Sequence, residues 1–192
     1  MKRHNKFRNL DVTGLDKLGE NNDFGLCYNE VNRVHNLCVS GVSLKTIIQV
    51  LNKITSDGMD LNHYINSFGC NLLFFVSDTK VLKALLDYGC NPNHRSNGFD
   101  KLCVDNSTPG TTALHYASFY FLWPAIQILS EMMDDKNLLD SDECSAMGYA
   151  EHVYNEHLLD KKNGFSKLKD GCFENMEFIL SEMKEAGFVA IY

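Results

Sequence analysis

Basic charge is in short supply. Lys and Arg number 18 against 25 Asp and Glu, giving a formal net charge of -7 and a pI near 5.4. Broad binding to nucleic acid or to an anionic membrane surface depends on clustered cations, so neither is expected of this chain. Long apolar runs are missing as well, and none reaches the roughly 20 residues that a membrane-crossing helix needs. The cationic start, Lys2, Arg3, His4, Lys6 and Arg8, is followed by no apolar stretch before Asp11, so nothing there reads as a secretory signal. Close Cys-x-x-Cys or His-x-x-x-His pairs are absent, and with them the usual announcement of a structural metal. A Gly-rich phosphate loop, a Gly-x-Ser-x-Gly elbow and a paired-carboxylate motif are absent too. No cofactor, no metal and no catalytic residue is therefore expected.

What the chain does contain is ordinary globular material. Its 192 residues are 44% hydrophobic and 22% charged, enough for one continuous core. The seven cysteines are an odd, scattered set, Cys27, Cys38, Cys70, Cys90, Cys103, Cys144 and Cys172. That pattern fits reduced thiols in a cytoplasm better than a disulfide framework. A Cys nucleophile paired with one of the seven histidines is the enzymatic alternative, a modifier acting on a protein substrate, although no local signature selects a pair.

Read in order, residues 1–26 are polar and form an N-terminal arm or cap ahead of a helical domain at 27–192. Apolar spacing predicts a helix over Tyr28–Val39, then a second one capped by Ser43, with Leu44, Ile47, Ile48, Val50, Leu51 and Ile54 on one face. That helix ends in Gly58-Met59-Asp60-Leu61-Asn62. The ending recurs 31 residues later as Gly89-Cys90-Asn91-Pro92-Asn93. Between the two, Gly69 to Val76 starts a further unit and Val81, Leu82, Leu85 and Leu86 supply its second helix, with a shortened turn at 77–79. The most complete unit follows: Thr112 caps a helix carrying Ala113, Leu114, His115 and Ala117, and Pro124 opens a partner helix carrying Ala125, Ile126, Ile128 and Leu129. Ser145-Ala146-Met147-Gly148-Tyr149-Ala150 repeats its start 33 residues on, and a last helix runs from Asn175 to the Ala186-Gly187 ending.

Thr112-Ala113-Leu114-His115-Tyr116-Ala117-Ser118 resembles the Thr-Pro-Leu-His-x-Ala-Ala signature of ankyrin repeats, and the Gly-x-Asx-x-Asn endings resemble those that close such repeats. The resemblance implies an all-α ankyrin-repeat solenoid of about four helix-turn-helix repeats with a polar N-terminal cap. It carries two insertions, a long loop at His94–Pro109 and a charged, Lys-rich loop or extra helix at Glu151–Gly171, which have either merely drifted or form part of a binding face. The departures are Ala113 for Pro, Phe121-Leu122 for the Gly-His turn, and Gly148 for His in the last copy. His115 is expected to hydrogen-bond backbone of a neighbouring loop rather than to act as a base or ligand. Cys90 with His94, and His63 with Cys70, have metal-like spacing of little weight. The acidic run at Asp134-Asp135 and Asp140–Glu143 reads as a solvated loop or helix cap.

A repeat stack has no inherent chemistry, so the expected function is a non-catalytic protein-binding module in a cytoplasm, monomeric, gripping a protein partner of unknown identity. Ankyrin proteins bind through loop tips and the exposed side of the first helix, which implies Thr108, Thr111, Phe119 and Tyr120 here. Arg95, Asn97, Phe99 and Lys101 of the long loop are expected to overhang Tyr116, Phe119 and Tyr120. Asn makes up about a tenth of the chain, a bias shared with degenerate ankyrin proteins that act as effectors in a host cytoplasm. One core is expected to hold Ile47, Leu51, Leu82, Leu85, Leu86, Leu114, Ala117, Ile126, Leu129, Ile179 and Leu180.

Overall fold

The computed structural model describes Cys38 and residues 43–63, 69–97, 109–166 and 168–192. The arm at 1–26 and the predicted Tyr28–Val39 helix, apart from helical Cys38, lie outside these residues. Among the described residues the chain is helical throughout, with six α-helices and no strand. Helix α1 (Leu44–Ser56) begins at its predicted cap: the Ser43 hydroxyl accepts from the Thr46 N–H, and Ile47, Val50, Leu51 and Ile54 bury one face. Helix α2 (Thr79–Asp87) starts because the Asp78 carboxylate accepts from the N–H groups of Lys80 at 2.8 Å and Val81 at 3.2 Å. The remaining helices are α3 (Ala113–Phe119), α4 (Trp123–Met132), α5 (Ala146–Lys162) and α6 (Asp170–Glu185). Pro124 is the second residue of α4, where its missing N–H leaves no intrahelical bond unmade.

The helices lie in two layers. The 3-10 turn Leu72–Phe75, α3 and α5 pack side by side in one; α1, α2 and α4 do so in the other, and α6 packs behind α5. Every member of the expected core is buried in a single cluster, from Ile47 and Leu51 through Leu85 and Leu129 to Ile179 and Leu180. Each fully buried aliphatic side chain of this kind contributes about 1.5–3 kcal/mol, so the layer contact is where the stability resides.

Three departures from the repeat pattern take definite form in the structure. The unit opened by Asn71 forms only a 3-10 turn, because the next helix is already capped at Asp78 and the few residues between leave no room for an α-turn. Of the loop or extra helix expected at Glu151–Gly171 the chain forms the helix: α5 continues through it to Lys162, and α6 begins at Asp170. At the turn where the ankyrin family has Gly, Phe121 itself adopts φ 52, a left-handed conformation that costs a non-Gly residue about 1–2 kcal/mol. Its ring, packed against the core, compensates.

A ladder of asparagines ties successive loops together. Asn62, Asn93 and Asn137 each sit two residues after an Asx side chain that accepts their N–H: Asp60 at 2.8 Å, Asn91 at 2.9 Å and Asp135 at 2.8 Å. The amide of Asn62 donates to Gly89 O at 2.8 Å and accepts from the Asn91 N–H at 2.7 Å. Asn137 repeats this with Gly187 O at 3.3 Å and the Val189 N–H at 2.9 Å. Asn93, between them, accepts from the Asp134 N–H at 3.1 Å and donates to its carboxylate at 2.9 Å. So Asp134 and Asp135, expected in a solvated loop or helix cap, are exposed loop residues that also take part in this ladder. No helix among the described residues is long and apolar enough to cross a membrane.

Candidate partner-binding face

Residues three and four apart on a helix share a face, so Tyr116, Phe119 and Tyr120 project together from α3 and its C-cap. Tyr116 and Tyr120 have ring centroids 4.7 Å apart, and Phe119 and Tyr120 are 5.0 Å apart. The cluster extends into both neighbouring elements, to Phe74 of the 3-10 turn at 6.4 Å from Tyr116 and to Tyr149 of α5 at 6.4 Å from Phe119. Five rings thus run across three consecutive first-layer elements. Each tilted or edge-on pair is worth about 0.5–1.5 kcal/mol beyond its area, which fixes the rings relative to one another. Tyr120 stays 42% exposed, while Tyr116, Phe119 and Tyr149 are half-buried.

Behind the rings lies a polar hub. His115 accepts the Thr112 N–H at Nδ1, 3.2 Å away, and its Nε2 is 3.2 Å from Cys144 O in the following loop. Those partners assign the neutral Nε2–H tautomer, with the ring as a bolt between α3 and the 139–145 loop. Burial, more than any charge, lowers its pKa below the ordinary imidazole value of 6.5. Asp140 is buried as well, which corrects its reading as part of a solvated run. Its carboxylate accepts from the N–H groups of Asp142 and Cys144, both at 3.0 Å, and from the Tyr149 hydroxyl at 2.6 Å. That carboxylate therefore folds the loop into a finger with Asp142 and Glu143 exposed at its tip and links the tip to the ring stripe.

Among the described residues, the long loop meets the same face at its base. Ser96 donates its N–H to Thr111 O at 2.8 Å, and the two hydroxyls pair at 2.6 Å. Thr111, expected at a loop tip, is instead buried, its hydroxyl paired with that of Ser96. Arg95 is exposed, but its guanidinium donates to Leu139 O, and Asn97 backs onto Gly69. Pro109 O accepts the Ser141 N–H at 2.9 Å, so the loop base and the acidic finger are neighbours. Phe99, Lys101 and Thr108 lie outside the described residues.

Three residues that build the face escaped the sequence reading. Tyr149 was recoverable, since it occupies in the Ser145 copy the position of Tyr116 in the Thr112 copy; Phe74 and Asp140 carried no such signal.

Three of the described thiols sit where the thiolate is disfavoured. Burial pushes Cys38 and Cys90 up to about 12, and burial with the charges of Asp140 and Asp142 raises Cys144. His94, the suggested metal partner of Cys90, places Nε2 2.7 Å from Gly69 O instead. Among the described residues no three His, Cys, Asp or Glu side chains gather as metal ligands would. No family model matches the chain, and no curated protein matches it either.

Proposed function

We propose that the chain is a short ankyrin-type stack of about four repeats whose role is to hold a protein partner on the aromatic face of its first layer, in a cytoplasm, without catalysis of its own. The layer order and the asparagine ladder support the repeat reading, because the Asn62 bonds to Gly89 O and the Asn91 N–H are repeated by Asn137 with Gly187 O and the Val189 N–H, and the single His115 bridge to Cys144 O joins one further pair of units. The observation that carries the binding reading is the stripe formed on one face by Tyr116, Phe119, Tyr120 and Tyr149, with buried Phe74 behind it. Large aromatic side chains held rigid and partly exposed are the usual anchors of protein interfaces. Photo-crosslinking tests it directly, with benzoylphenylalanine placed at Tyr120 or, as a control on the other layer, at Met132, which is 52% exposed. The reading expects discrete adducts from position 120 and none of the same mass from 132. Equal adducts from both sites would defeat it.

A further inference from the structure

Resting on that reading, we infer that the partner presents an extended basic segment, with Lys or Arg side chains laid over the exposed rings and their charges met by the acidic finger. The first observation is geometric. Asp140 bonds Tyr149 at 2.6 Å and also holds the N–H groups of Asp142 and Cys144, so the finger carrying exposed Glu143 is anchored to the end of the ring stripe. The second is the sign of the charges along that end. Glu156 stands two turns after Tyr149 on the same flank of α5, beside His152, whose Nε2 is 3.3 Å from its carboxylate. Arg95, a cation near that end among the described residues, is engaged with Leu139 O.

Tyr faces attract cations through their ring quadrupole, by about 0.5–1 kcal/mol at exposed sites, and carboxylates at the rim complete the pairing. An acidic segment would meet Glu143 and Glu156 with like charge, in a chain whose net charge is already -7. The rings supply grip that does not depend on salt, and the finger supplies the sign.

The test uses the full chain and two fluorescent peptides of equal length, one alternating Lys and Leu, the other Glu and Leu, followed by anisotropy. The Lys-Leu peptide is expected to bind, to weaken at least about fivefold with Tyr120→Ala or Phe119→Ala, and to weaken with Glu143→Gln. Glu174→Gln makes the same charge change on exposed α6, away from the stripe, and is expected to leave binding unchanged. Melting curves of each variant exclude unfolding as the cause. Binding of the Glu-Leu peptide that equals or exceeds that of Lys-Leu, and still depends on Tyr120, overturns the basic partner but leaves the face as a docking site. Absent binding, or binding indifferent to Tyr120 and Phe119, overturns the assignment of the segment to this face; the crosslink from position 120 then decides the wider reading separately.

Discussion

His115 shows how one side chain can serve fold and junction at once. Its neutral ring accepts at Nδ1 from the Thr112 N–H and donates at Nε2 to Cys144 O, so protonating Nδ1 would set two N–H groups against each other. Because the folded-state pKa lies below the ordinary 6.5, the unfolded chain binds the proton more readily. The stabilisation is therefore fully present above about pH 6.5 and is lost as pH falls through the lower folded value. Thermal melts at pH 7.5 and 5.5 are expected to show a larger acid loss for the parent than for His115→Gln. Identical acid losses would mean that the ring titrates as it does in water.

At the scale of elements, caps were the most legible feature and turns the least. Ser43, Thr112 and Ser145 announce their helices because a hydroxyl before an apolar run has a local partner three residues on, a relation that sequence alone contains. Asn137 did not announce its ending. Met133 stands there where Gly89 stands in the earlier copy, and it is extended, with its side chain buried, rather than left-handed. The burial of Asp140 depends on the Tyr149 hydroxyl and on finger N–H groups, contacts that only the folded loop creates.

Gly148, read from sequence as a weakened copy of His115, has a positive reason. A Cβ there would sit 2.2 Å from Ile191 O, because Ser145 draws residues 189–191 over the start of α5 through its N–H bond to Ile191 O at 3.1 Å and its hydroxyl bond to Val189 O at 2.6 Å. Gly148→Ala is expected to destabilise by about 1–3 kcal/mol through this overlap. In a chain also truncated after Phe188 the same substitution is expected to cost far less. An undiminished cost there, read from paired denaturant melts, would locate the problem within α5 instead.

For the molecule as a whole, the two layers share one core, so damage in one unit is felt by all. Leu85 of α2 and Leu129 of α4 are 0% and 1% exposed, and Leu85→Ala or Leu129→Ala is expected to cost about 2–5 kcal/mol. Melting as the parent does would show that the units are out of register. The core was legible because apolar spacing of three and four residues survives even where residues depart from the repeat pattern. The ring stripe was only half legible, since Phe74 joins it across a junction that no local pattern reveals.

The central claim is that this first-layer face, and not the opposite layer, holds the partner. Its most direct measurement is the dissociation constant of the protein captured at position 120, taken for the parent, for Phe119→Ala/Tyr120→Ala and for Glu131→Ala/Met132→Ala on the exposed side of α4. The ring variant is expected to lose more than about 1 kcal/mol, a factor of roughly five in affinity, with its melting temperature intact, and the α4 variant to bind as the parent does. Undiminished binding by the ring variant, or an equal loss from α4, would contradict it.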